Sequence, residues 1–251
     1  MIASPIAIEH VLPLSHEEAM DIAETEWTRL LTVVDALRPP DWSRQTDCTD
    51  WDVRSMLGHI LGALEMQADP GERMRQVTAA AGIAAETGGV RLDAMTALQV
   101  REHAELTTEE LRRALHDAAP RGLAARRATT QEQRDAPFDP ALPGESGWTF
   151  GYLFDVIHTR DPWIHRVDIS RAIGRDLEVD AGHDGRIVAD VVADWARRHG
   201  QPVTLRLAGP AGGVFTAARG GEEVELDAVE FCRVLSGREP GAGLLAIRVT
   251  F

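Results

Sequence analysis

Cysteine is scarce. Cys48 and Cys232 are the only two among 251 residues, they fall in different expected domains, and they have no CxxC spacing. A disulfide framework and a Cys-rich zinc site are therefore excluded. Long apolar runs are missing as well, since no stretch approaches the roughly 20 residues that a membrane-spanning helix needs. The start, MIASPIAIEHVLPLSHEE, has no basic segment leading into an apolar one, so no signal peptide is expected. Positive charge is the third shortage, with 26 Lys and Arg against 40 Asp and Glu for a net charge of -14. Phosphate backbones and anionic membranes are held by clustered Lys and Arg, so neither nucleic acid nor a membrane is an expected partner. The expectation is a cytoplasmic protein, monomer or homodimer, acting on a small-molecule substrate.

What the chain does have is helical periodicity. In SHEEAMDIAETEWTRLLTVVDALRPP, Ser15 and Glu18 have capping-box spacing, and Ala19, Ile22, Ala23, Trp27, Leu30, Leu31 and Val34 recur on one face before Pro39 and Pro40. Thr49 or Asp50 is placed to cap a second helix, in which Val53, Met56, Leu57, Ile60, Leu61 and Leu64 form an apolar stripe. Further helical patterns cover about 72–86, the LDAMTALQVREHAEL stretch, EELRRALHDAA behind Thr107 or Thr108, and about 149–172 ending at Gly174. The Arg- and Thr-rich stretch running into DAPFDPALPGESG reads as irregular. Beyond residue 174 the period changes. A helix in DGRIVADVVADWARRHG precedes short strands in PVTLRLAG and GVFTAARGG, Asp227 caps AVEFCRVLSG, and LLAIRVTF reads as a last strand. The expected fold is an all-α bundle over 1–174 followed by a small α/β (α+β) domain over 175–251.

FDVIHTRDPWIHRVDI carries the chemistry. Asp161 and His165 stand four apart, which on a helix brings their Cβ atoms within roughly 5–6 Å on one face. A carboxylate and an imidazole so placed can converge on one ion. Pro162 either kinks that helix or starts it, with Asp161 as N-cap. A third ligand must come from another helix. His59 is the candidate, lying off its helix's apolar stripe on a face with Ser55, Gly62, Ala63 and Met66, where small residues let a neighbour approach. Two nitrogens and one oxygen on a divalent ion, zinc being the expected one, leave a coordination position open, as in catalytic sites. Asp168 is placed to orient the His165 ring, and His158 is a possible further partner or alternative ligand. On spacing alone the segment fits equally well a structural network in which Arg166 or Arg171 pairs with Asp168. Cys48 reads as a packed thiol or a helix-terminal nucleophile, and Trp51 and Trp163 as packing anchors.

TDCTDWDVRSMLGHILG resembles the second-helix signature of the mycothiol-dependent maleylpyruvate isomerase family, within the DinB-like superfamily of metal-binding four-helix bundles. The residues that carry the likeness are Cys48, Trp51, Val53, Leu57 and His59. RDPWIHRVDISRAIGR is similar to that family's last bundle helix, and DAVEFCRVLSGREPGAGLL to the small C-terminal domain often attached to it. The resemblance implies a metal held by His59, Asp161 and His165, with aspartate standing where the family usually has glutamate. It also implies a small thiol such as mycothiol as cofactor, and an isomerase or S-transferase reaction. A non-catalytic metal- or ligand-binding regulatory module, and a metal-water hydrolase or lyase, are the alternative readings of the same scaffold.

Overall fold

The computed structural model describes residues 5–251. The opening Met1–Ser4 of the stretch examined for a signal peptide lies outside the described residues. Helices dominate, with a small sheet region, and no helix among the described residues is long and apolar enough to cross a membrane. The chain falls into two compact units: His16–Asp176, and the residues before His16 together with Leu177–Phe251.

The first unit is helical. Its α1 (His16–Asp35), α2 (Val53–Ala68), α3 (Pro70–Thr87), α4 (Arg91–Glu102), α5 (Thr108–Arg127), α6 (Gln131–Asp135) and α7 (His158–Ile173) follow in order. Helix α2 packs on α5 and α7, and α1 packs on the same two helices, while α3 and α4 pack on each other and on α2. Leu30, Leu57, Leu61 and Leu111 are among the fully buried side chains of this core.

Helix α2 is capped by Asp52, whose carboxylate accepts the Ser55 N–H at 2.8 Å, and not by Thr49 or Asp50. Those two residues belong to a tight turn closed by the Trp51 N–H on the Cys48 carbonyl at 2.8 Å, which delays the helix. Thr107 and Glu110 form a reciprocal capping box at the start of α5. The stretch expected to be irregular is regular in part, while its residues 139–147 form no helix or strand. Helix α5 runs on through Pro120 to Arg127, α6 follows, and β2 (Pro137–Phe138) pairs antiparallel with β3 (Trp148–Thr149). Gly174 ends α7 in the left-handed conformation that glycine takes without a Cβ penalty.

The second unit carries a four-stranded sheet in the order β1-β5-β4-β6, with β1 at Ile6–Ala7, β4 at Val203–Ala208, β5 at Gly213–Ala217 and β6 at Glu222–Asp227. Strand β5 is antiparallel to β4, whereas β6 runs parallel to β4 and β1 parallel to β5. Helices α8 (Asp184–His199) and α9 (Ala228–Leu235) complete it, α9 being capped by Asp227. LLAIRVTF is not a strand. Gly243–Ala246 coils into a 3-10 turn instead, and its Leu244 carbonyl accepts the Trp195 indole N–H at 3.0 Å. The apolar residues of that segment are thus spent on packing against a helix rather than on pairing.

Candidate metal centre

Helices α2 and α7 bring three donors together. His59 and His165 are buried, at 7% and 4% exposure. Their Nε2 atoms lie 3.7 Å and 3.3 Å from the same oxygen, Asp161 Oδ1. The three ligand atoms all lie within 4.8 Å of one another. Neighbouring ligands of a tetrahedral ion with bonds of about 2.0–2.1 Å are about 3.3–3.4 Å apart, so the donor set and its spacing fit a zinc-like ion. Asp161 is the most exposed of the three, its side chain retaining 25% accessibility, which leaves an approach to the site on its side.

The far side of each imidazole is also occupied. His165 Nδ1 donates to Asp168 Oδ2 at 3.1 Å, and Asp168 is fully buried. His59 Nδ1 donates to Gln99 Oε1 at 2.7 Å. With both Nδ1 atoms protonated, rings that lose their second proton to a bound ion would turn their Nε2 lone pairs to the shared point. The Trp51 ring lies against them, 4.9 Å from His59 and 6.1 Å from His165 between centroids, so this tryptophan is a wall of the site as well as a packing residue.

Asp161 and His165 share a face of α7, with Pro162 between them, because residues four apart on a helix face the same way. Tyr152–Ile157 is a π-helical segment leading directly into α7, and Pro162 sits inside α7 rather than at its start. Wide turns of this kind often adjoin functional sites.

Electrostatics around the cluster are strongly perturbed. Burial opposes ionisation of Asp161, but the two imidazoles outweigh it and hold its carboxyl well below the usual range. Burial likewise disfavours a charged His165, yet Asp161 and Asp168 raise it to about 9. His158 is not brought to the donor cluster. Its ring lies against Phe154, its Nδ1 has no hydrogen-bond partner, and burial, reinforced by the Arg126 charge, lowers it to about 3. The arginines considered as partners of Asp168 also reach elsewhere: Arg166 forks the buried Glu26 at 2.7 and 3.1 Å, and Arg171 reaches Asp47 at 3.0 Å.

A second donor group, Cys48, His165 and Asp168, shares His165. In it the Cys48 thiol lies 3.9 Å from the Asp168 oxygen that already accepts from His165. This is a hydrogen-bonded set with an acceptor in place, whereas the Nε2 atoms of both rings converge with Asp161 Oδ1 on one point.

Sequence reasoning passed over Gln99. It sits at 1% exposure on α4 next to the buried Leu98, and no local pattern marks it in the sequence. The small residues on the His59 face of α2 do admit a neighbour, and it is α4. A Cβ on Gly58 would lie 3.3 Å from that of His103, and one on Gly62 only 2.6 Å from Gln99 Cγ.

The family sequence model described as the mycothiol maleylpyruvate isomerase N-terminal domain matches residues 23–170. A crystal structure of the mycothiol-dependent maleylpyruvate isomerase superposes with a TM-score of 0.60 at 16% identity, covering 93% of this chain and 92% of that one. A crystal structure of a histidine-to-alanine mutant of that isomerase gives a TM-score of 0.60 at 15% identity over the same shares. At such identities the likeness is one of fold. No curated protein sequence matches the chain.

Proposed function

This chain belongs to the enzyme family of the mycothiol maleylpyruvate isomerase N-terminal domain, and from that premise we propose that it is a metal-dependent isomerase or S-transferase. It uses a small thiol of the mycothiol kind on a small electrophilic acid. The helical unit is read as a DinB-like four-helix bundle of α1, α2, α5 and α7, and 175–251 as its appended α/β domain. A reduced thiol pool goes with a cytoplasmic setting.

The observation that carries the reading is the convergence of two imidazole Nε2 atoms on Asp161 Oδ1 at 3.3 and 3.7 Å, the spacing of ligands around a tetrahedral ion. His59, Asp161 and His165 would hold the ion, zinc by its donor set. When bound, such an ion supplies positive charge that lowers the pKa of a thiol, favouring the nucleophilic thiolate. Three protein ligands leave a position for that thiol. Asp168 accepts from His165 Nδ1 and would strengthen Nε2 of the same ring as a ligand to the ion. Trp51 lies against both rings and forms one wall of the site.

The test is a turnover assay with the zinc-loaded protein, reduced mycothiol and maleylpyruvate, following loss of the cis isomer. Conversion that requires both thiol and metal supports the isomerase reading, and accumulation of a thiol adduct supports the transferase form. A zinc-loaded protein that neither isomerises nor thiolates this acid or other electrophilic acids contradicts it.

A further inference from the structure

The His59 ring is held from behind by a chain of buried amides whose direction can be worked out from its far end. Glu72 Oε1 and the Gly62 carbonyl can only accept hydrogen bonds. Both face Gln76 Nε2, at 2.8 and 3.1 Å, so the amide nitrogen of Gln76 must be the end that points at them. Its oxygen then faces the other way, 2.8 Å from Gln99 Nε2. The second proton on that nitrogen has Met66 Sδ at 3.4 Å. Gln99 is thereby left with its oxygen toward His59 Nδ1, at 2.7 Å. An acceptor at that position requires a proton on Nδ1, and a neutral imidazole carries only one.

We propose that Gln76 and Gln99 are positioning residues that hold His59 in the tautomer with its lone pair on Nε2, presetting the metal site from α3 and α4. The proposal rests on the metal reading given above. Both glutamines are buried, at 0% and 1% exposure. Reversing either amide sets oxygen against oxygen: a turned Gln76 meets the Glu72 carboxylate and the Gly62 carbonyl, and a turned Gln99 meets Gln76. Arg75 donates to Glu72 at 2.8 and 2.6 Å and holds its carboxyl below the usual range, so the far end stays an acceptor. Gly62 is what lets the chain close. Any side chain there runs into Gln99 Cβ and Cγ at 2.7 and 2.6 Å. Gln76 occupies the buried stripe of α3 with Ala80 and Ala84, where a polar side chain has no packing reason to be.

The experiment compares wild type with Gln76→Leu, which alters no atom touching His59 or the ion. Zinc affinity is read by competition with a chromophoric chelator, ring tautomers by 15N resonances of the metal-free protein, and folding by thermal melting. The expected result is a folded Gln76→Leu protein with zinc affinity about 10–100-fold weaker and with unprotonated Nδ1 appearing at His59. Adding Gln99→Glu in that background replaces a reversible amide with an acceptor-only group, and it should restore the Nδ1–H tautomer and most of the affinity. A merely structural role predicts no such rescue from a second buried change. Gly62→Ala, which pushes Gln99 aside while adding a better helix former, should reproduce the affinity loss if Gln76→Leu fails to fold. Unchanged tautomer and affinity in Gln76→Leu or Gly62→Ala overturn the proposal. If wild type takes up no zinc yet shows a single Nδ1–H tautomer lost in Gln76→Leu, the metal reading fails and the relay stands.

Discussion

Arg126 Nη1 donates to the His158 carbonyl at 3.0 Å, the oxygen that Pro162 leaves without a helical partner. An α-helical carbonyl bonds to the N–H four residues on, and proline has none. A buried guanidinium from α5 therefore completes α7 at the point where Asp161 leaves it, and Arg126 Nη2 adds the Thr159 hydroxyl at 2.8 Å. Burial lowers Arg126 to about 10, which still leaves it charged at neutral pH.

Arg126→Met should cost roughly 1–3 kcal/mol, because the carbonyl and the hydroxyl lose their buried donor. Combining it with Pro162→Ala returns a backbone N–H to the same carbonyl, so the double variant should recover part of that loss. Urea melts of the two single variants and the double measure the coupling.

The Glu26–Arg166 pair ties α1 to α7 with both side chains at or below 1% exposure. Removing one partner takes away the counter-charge that the other, still buried, meets in this fork. Glu26→Ala should therefore destabilise by about 3–5 kcal/mol, whereas Glu26→Leu together with Arg166→Met should come much closer to wild type. Chemical denaturation of the three variants distinguishes these outcomes.

His158 gives a pH dependence of known sign. Its folded-state pKa of about 3 lies below the ordinary value of about 6.5. Between those two values the unfolded chain binds one more proton, so stability falls as pH drops through the window and levels off below it. His158→Phe should lose that contribution and show a shallower acid limb. The check is stability against pH for both proteins.

Asp161 is the larger of the two carboxylate influences that raise His165 against its burial. In metal-free protein, Asp161→Asn should bring the His165 titration down from about 9 toward the ordinary imidazole range. Ring-proton NMR titration reads this directly. A His165 that still titrates near its wild-type value would mean that Asp168 alone sustains the shift.

The parts of the fold that the sequence made legible are those fixed by local chemistry. The stripe from Val53 to Leu64 marks α2, Asp227 and Thr107 mark helix starts, and Gly174 marks a helix end, because caps and periodicity act within a few residues. Asp161 and His165 share a face because they are four apart, which Pro162 leaves intact. The family was legible from the Cys48-to-His59 signature and its partner segment in α7. What stayed hidden depends on partners distant in the chain. Strand β6, with four acidic residues among its six, carries little apolar pattern and exists by pairing with β4. LLAIRVTF has the composition of a strand but turns onto a helix. Gln76 and Gln99 acquire their meaning only when α3 and α4 close on Gly62.

The most direct measurement is the metal content of the purified protein for wild type, His59→Ala and His165→Ala, with folding checked by circular dichroism. About one zinc or similar divalent ion is expected per wild-type chain, lost in both folded variants. A folded wild-type protein that contains no such ion and takes none up on reconstitution would contradict that expectation.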